Sequence, residues 1–419
     1  MPSKRPHSRQ AGFTLIELLI GMVIAIEILV AALTVFDVHN RMARVQLQIT
    51  DLQQSLRVAS YDMVRTTRMA GRGGLPLDLF LQPAGLLSVP WLRGRAIEVR
   101  NNVLEGGDDA VAIGIDEPVA LPGTDILTVR GCISGLHFQL DPTRAGDFTG
   151  ATMTIRRDLA NGRSQDLAQL LEDGFNSPML LQSAISREQY AISEVTDVSG
   201  NSSAVTLSIA FNSGLTPPNP WIVPLEFGFV PGFACVLEEY RYYIRPTFVT
   251  DAAGEQQLRP RLARARMIPG TELPHNEDVA NLTLDLADDI FDLQVALGFD
   301  TSNAGSFSDD ADFEDGDDVL FEAATDSDRA DDDWLYNSSD DDPTEGVYMA
   351  PLYYARITAL GRTAQRDPKY AAPDFDPVAG EDYVEDNNYD EDPALYFKSD
   401  ANRQFRHRQL QTVVDLRNI

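Results

Sequence analysis

The sequence predicts an α+β chain, with one long N-terminal helix followed by a large, mainly antiparallel β head. Three observations carry that prediction. An apolar run of 24 residues, from Phe13 to Phe36, opens the chain behind a short basic stretch. A heptad stripe continues from it, with no Pro or Gly between Met22 and Ala70. Beyond Pro76 the chain turns to short β-branched runs separated by Gly, Pro and Asp turns.

Lys4, Arg5 and Arg9 precede Gly12-Phe13-Thr14-Leu15-Ile16-Glu17, and no acid does. From Phe13 to Phe36 every residue is apolar, small or Thr except Glu17 and Glu27. As a helix that run is roughly 36 Å long at ~1.5 Å per residue. A bilayer core is ~30 Å thick, so the run can cross it, and the basic flank keeps residues 1–12 on the cytoplasmic side. A cleaved secretory signal would have an apolar core of only ~7–15 residues and close on a small-residue site. A plain anchor explains the length but not Glu17, because a carboxylate within a span costs ~2.5–3.5 kcal/mol and needs a partner or a purpose.

Residues 37–70 continue the helix. Val38, Met42, Val45, Ile49, Leu52, Leu56, Ala59 and Met63 recur at alternating steps of four and three. A two-stranded coiled coil would use the same stripe. The preferred reading is one continuous helix whose second half packs on its own head. Arg65 and Arg68 suit the C-terminal end of the helix dipole, and Gly71-Arg72-Gly73-Gly74-Leu75-Pro76 stops it.

The head, 71–419, reads as strands at Ala96–Leu104, Ala110–Ile115, Asp125–Arg130, Thr152–Arg156, Tyr190–Val195 and Ala204–Phe211. Gly200-Asn201 is a hairpin turn before the last of these. Glu238–Arg245, Tyr353–Leu360 and Gln409–Leu416 follow as strands, and Ala280–Leu297 reads as a helix then a strand. The formal charge of −30 is local: residues 309–346 and 374–392 together hold 26 acids against one base, Arg329. That distribution argues against nucleic acid as a partner of the head, because phosphates need basic patches. His7, His39, His137, His275 and His407 are isolated, and no HExxH, GxSxG or Gly-rich Lys-Ser/Thr loop occurs. Nothing in the sequence supports catalysis.

Gly12-Phe13-Thr14-Leu15-Ile16-Glu17 after a basic leader resembles the class III signal of type IV prepilins and pseudopilins. The resemblance implies cleavage between Gly12 and Phe13 by a prepilin peptidase and N-methylation of Phe13. It also implies pairing of Glu17 with the Phe13 amine of a neighbouring subunit, which removes two charges from lipid. Glu27 has no such role; it either meets a cation on a partner helix or is protonated. A long helix with a head behind it is the pilin-like architecture.

Ala287 to Asp300, Ala355–Leu360 with Arg362, and Gln409–Asn418 resemble motifs of PilW-type minor pilins. The branch implies a minor pilin, held in the inner membrane with its head in the periplasm. It is then passed by an inner-membrane assembly platform to the tip of a pilus, among other minor and major pilins. There it primes or caps assembly. A calcium-dependent tip adhesin and a type II secretion pseudopilin are the alternative readings. The acidic stretch at about 301–346 reads as an insertion into the pattern.

Cys132 and Cys235 are the only cysteines, and no CxxC occurs. In an exported head they are a disulfide candidate, with two buried thiols as the alternative. No cofactor is expected beyond a calcium reading of Asp309, Asp310, Asp312, Asp315 and Asp317. The EF-hand pattern fails there. With Gly316 as the loop glycine, Ala311 and Phe313 would fall on ligand positions. A looser oxygen cage and a solvated acidic loop both remain open.

Overall fold

The computed structural model describes residues 14–72, 96–100, 120–133, 137–139, 152–156, 178–185, 190–199, 206–211, 230–250, 254, 256–267, 269, 283–299, 352–367, 370, 383–384, 387–388 and 404–416. It shows the α+β, pilin-like architecture: one long N-terminal apolar helix and a large antiparallel β region. Helix α1 runs without a break over Leu15–Thr67. The chain divides into two compact units, Met1–Asp51 and Leu52–Ile419. In the first unit the described residues are helical from Leu15 onward, and their side chains are exposed or half-buried. The second unit holds the last turns of α1 and every strand.

The strands follow in chain order: β1 (Ile97–Arg100), β2 (Ile126–Gly131), β3 (His137–Gln139), β4 (Thr152–Arg156), β5 (Pro178–Ser183), β6 (Tyr190–Ser199), β7 (Thr206–Phe211), β8 (Pro231–Val236) and β9 (Glu238–Arg245). Then come β10 (Phe248–Thr250), β11 (Gln256–Leu258), β12 (Arg261–Met267), β13 (Thr283–Asp288), β14 (Ile290–Phe299), β15 (Leu352–Arg362), β16 (Tyr383–Val384), β17 (Asn387–Asn388) and β18 (His407–Asp415). They form a five-stranded sheet β1-β2-β9-β12-β13, a three-stranded sheet β14-β15-β18 and a six-stranded sheet β3-β8-β5-β6-β7-β4, with β10-β11 and β16-β17 as small ribbons.

Two of the sheets supply the floor for α1. Leu52, Leu56, Ala59 and Met63 share one apolar core with Val99, Leu127, Val129, Tyr242, Ile244 and Leu262 of the five-stranded sheet. The same core takes in Leu293, Val295, Ala355, Ile357 and Val414 of the three-stranded sheet. Each fully buried leucine there contributes about 1.5–3 kcal/mol. Gly361 leaves room for the helix, since a Cβ at that position would stand 2.6 Å from Leu52 Cδ1 and 3.3 Å from Leu56 Cδ2. Burial along the stripe is uneven. Val38 and Met42 are 60% and 59% exposed, and full burial begins at Leu52. A heptad stripe serves a helix partner as well as a sheet, so periodicity alone could not say where the sheet contact starts.

The end of α1 is sewn to β2 by backbone. Arg68 N donates to Val64 O at 3.0 Å, and then Met69 N donates to Thr66 O and Ala70 N to Thr67 O in tighter turns of 2.9 and 3.0 Å. Gly71 leaves the helix at φ 72°, a conformation glycine adopts without steric cost. Its N–H donates to Arg130 O at 3.0 Å, and Cys132 N donates to Arg72 O at 2.8 Å. A Cβ on Gly131 would lie 2.8 Å from the Met69 carbonyl oxygen, so this close approach requires glycine.

The helix-then-strand reading of Ala280–Leu297 is also corrected, because β13 and β14 are two strands with Asp289 between them. Leu284 and Leu286 alternate with Asp285 and Ala287, a period of two. Asp289 takes φ 60°, and Arg259 holds its carboxylate through Nε at 3.1 Å and through Nη2. The bend hands one run of chain from the five-stranded sheet to the three-stranded sheet. Asp125 binds β14: its N–H donates to Leu293 O at 2.9 Å, and its Oδ2 accepts Val295 N–H at 2.7 Å. Of the other expected strands, Ala110–Ile115 lies outside the described residues, as does the Gly200-Asn201 turn, while β6 and β7 pair antiparallel.

Away from α1, the five-stranded sheet buries charge. Arg130 pairs across the strands with Glu239, Nε to Oε2 at 2.7 Å, and also reaches Glu98 Oε2. Arg241 closes on Glu239 Oε1 at 2.7 Å. Glu98, Arg130, Glu239 and Arg241 are at most 3% exposed. Burial alone would raise the Glu98 carboxyl, but Arg130, Arg100 and Arg241 outweigh it and hold it down to about 2. A depressed carboxylate stabilises the fold fully above its ordinary value of 4.5, and that contribution is lost as pH falls towards about 2. Glu98→Gln should therefore cost about 3–5 kcal/mol near neutral pH, because Arg130 stays buried one charged partner short. Urea unfolding of both proteins checks this. The gap between them should narrow as pH drops below 4.5; a gap independent of pH would show that the charge on Glu98 is not what matters.

Candidate processing and assembly site

The first turn of α1 is closed by Thr14 and Glu17. Thr14 N donates to Glu17 Oε2 at 3.0 Å, Thr14 Oγ1 donates to the same oxygen at 3.0 Å, and Glu17 N donates back to Thr14 Oγ1 at 3.3 Å. This is a reciprocal capping box: two of the orphan N–H groups that open a helix are satisfied at once. The arrangement holds the Glu17 carboxylate at the mouth of the helix, one residue after Phe13 in the case of its Thr14 partner. A negative group there is favoured by the helix dipole. The Thr-x-x-Glu spacing is itself a helix-start signal, and a reading of Glu17 centred on intersubunit partners did not use it.

Gly12 and Phe13, the expected processing site, lie outside the described residues. From Leu15 onward the span offers its apolar surface on all sides, with Leu15, Ile20, Val23, Leu29 and Phe36 each more than half exposed. Glu27 is exposed on the same helix. Helix α1 is long and apolar enough to cross a membrane by length and composition. In lipid a continuous helix satisfies its own backbone groups, which is the requirement a span must meet.

In the second unit, polar contacts fix how the last turns of α1 sit on the sheets. The Tyr242 hydroxyl is bonded to Asp62 Oδ2 at 2.8 Å and to Thr66 Oγ1 at 2.7 Å. Arg264 Nη1 donates to Asp62 Oδ2 at 2.9 Å, and its guanidinium lies 5.0 Å from the centre of the Tyr240 ring. Burial, and then the Asp62 charge, push the Tyr242 phenol well above its ordinary value, so it stays protonated as a donor. Ser60 Oγ and Thr412 Oγ1 meet at 3.0 Å on the three-stranded sheet. None of these residues was singled out from sequence, because their partners lie about 180 to 350 positions away.

Cys132 and Cys235 form a disulfide with Cα atoms 5.9 Å apart. Asp309, Asp310, Asp312, Asp315 and Asp317 lie outside the described residues. Among the described residues no cluster of three or more His, Cys, Asp or Glu is arranged to hold a metal ion. His407 packs edge-on against Phe291 with ring centres 5.4 Å apart; burial, and then Arg362, push it down to about 3, so it is neutral near pH 7.

Residues 7–25 match the prokaryotic N-terminal methylation motif. No curated protein and no solved structure matches the chain. The matched segment takes in Gly12, Phe13, Thr14 and Glu17 and the first turns of α1. A methylation signal at the head of a long apolar helix, with antiparallel sheets behind it, supports a type IV pilin-like or pseudopilin-like, prepilin-processed protein.

Proposed function

We propose that the chain is a minor pilin of a type IV pilus, of the PilW type, used in low copy at or near the tip to prime or cap assembly. The observation that carries the reading is the methylation signal set on a helix whose far end bears so large a head. Prepilin peptidase cuts between Gly12 and Phe13, the new amine is methylated, and α1 holds the subunit in the inner membrane with its head in the periplasm. Assembly then extracts α1 into the filament core beside other pilins. The exposed half of the heptad stripe, Val38 and Met42, is free for helix partners there. In this reading the chain does no catalysis, and it works by position. The acidic stretches leave a calcium-dependent tip adhesin as a second reading. A type II secretion pseudopilin would carry the same signal, and the genes alongside would separate the two.

Size supports the low-copy reading. Residues 71–419 make a head of 349 residues, for which a compact domain has a diameter of about 50 Å. Helices in a filament core pack ~8–10 Å apart. Heads of that size on every subunit would crowd, and acidic stretches on neighbouring heads would repel within ~8 Å of Debye length. A tip position relieves both.

Three outcomes test the reading. Assembled material should begin at methylated Phe13, and a bulky residue at Gly12 should block the cut; mass spectrometry that finds an intact leader in filaments overturns it. Glu17→Ala should leave membrane insertion intact yet abolish incorporation, and Thr14→Val, which removes the hydroxyl bonded to Glu17, should lower incorporation about tenfold or less. Normal copy number of Glu17→Ala in sheared filaments would end the assembly role of Glu17. Quantitative proteomics of purified filaments should find this chain at a small fraction of the smallest pilin present; equal abundance would refute the minor-pilin reading.

A further inference from the structure

All six strands of the six-stranded sheet, β3 to β8, lie in the chain between β2 and β9, and β2 and β9 pair with each other directly. The register sets Gly131, the last residue of β2, opposite Glu238, the first of β9. The chain thus leaves the five-stranded sheet and returns to it at neighbouring points, with a whole sheet built in between. Cys132 is the first residue past β2, while Cys235 sits in β8 opposite His137 of β3 and Leu180 of β5.

The disulfide therefore spans a neck. On one side, the Cys132 backbone donates to Arg72 O at 2.8 Å, just past the end of α1. On the other side, Cys235 belongs to the inserted sheet. Among the described residues, the inserted sheet contributes Leu180, Tyr190, Ile192 and Cys235 to the core that holds Leu56 and Met63. The bond closes a loop across a sequence separation of 103, and that loop contains every strand of the insert. The pairings of β9 with β12, of β14 with β15 and of β15 with β18 lie outside it and are closed by their own ladders.

We propose that the Cys132–Cys235 bond is a clasp on this neck: it holds the inserted sheet to the head, and the sheets that carry the helix stand without it. A cross-link restricts the loop it closes, so its loss is felt first inside that loop. Closing it takes one proton from each thiol and two electrons in all, passed to a disulfide donor whose own S–S bond becomes two thiols. A dithiol reductant runs the same exchange backwards. The closed bond is buried, Cys132 at 0% and Cys235 at 2% exposure, so an attacking thiolate reaches it only when the neck opens.

Hydrogen exchange read by mass spectrometry on the full chain in detergent tests this. One arm compares the oxidised protein with the same protein treated with a dithiol, and the other uses the double variant Cys132→Ser with Cys235→Ser. Without the bond, amides of β5 and β8 should exchange about tenfold faster or more. Those of α1 beyond Leu52, β9, β12, β14 and β15 should stay within about twofold of the oxidised protein. Loss of protection in every sheet, including failure of the double variant to fold, overturns the clasp, and so does unchanged exchange in β5 and β8.

Discussion

The seating of four side chains, Leu52, Leu56, Ala59 and Met63, on two sheets at once is the contact on which the second unit depends. The core beneath them draws from β1, β2, β5, β6, β8, β9, β12, β13, β14, β15 and β18, strands spread over more than 300 residues. Polar contacts at Asp62, Thr66 and Ser60 add direction to what burial alone would leave free to slide. Apolar burial is non-directional, whereas a carboxylate held by a phenol and a guanidinium is not.

The two faces of the five-stranded sheet are solved in opposite ways. Toward the helix it presents Leu127, Val129, Tyr242 and Ile244. On the far face Glu98, Arg130, Glu239 and Arg241 are buried as a paired network beside Ile126, Tyr243, Ala263 and Ala265. A network of that kind is a weak source of net stability but a strict one, since removing any partner strands a charge in low dielectric. Its reliance on arginine is consistent with the forked geometry, which lets Arg130 serve two carboxylates from separate nitrogens.

Much of the fold was legible. The long helix followed from one apolar run and one stripe, and Thr152–Arg156 and Glu238–Arg245 were read with both ends correct because β-branched or aromatic residues alternate there. What was missed has identifiable causes. β12 is Arg261-Leu262-Ala263-Arg264-Ala265-Arg266-Met267, with no β-branched or aromatic residue to mark a strand. Its arginines find carboxylates on α1, β9 and β13 that only the fold supplies. β5 and β8 each begin at a proline, which reads as punctuation between elements rather than the first residue of one. Period-two alternation in β9 correctly separates Glu239 and Arg241 from Tyr240 and Tyr242, but alternation names a face and not what covers it. At the N-terminus the signal itself was plain, while the bond of Glu17 to Thr14 was hidden behind a more distant partner.

The seam at Gly71 also has a mechanical meaning. A pull along the last turns of α1 leaves the helix through the backbone bonds of Gly71 to Arg130 and Cys132 to Arg72. It therefore enters the sheet at β2, which is flanked by β1 on one side and β9 on the other. An edge strand loaded in this way could be peeled off one bond at a time. A flanked strand has to shear two ladders together, so tension is shared before any bond yields. The disulfide begins at the very next residue, Cys132, and gives the same point a covalent stop. Load arriving through the last turns of α1 is therefore taken up by a strand paired on both sides.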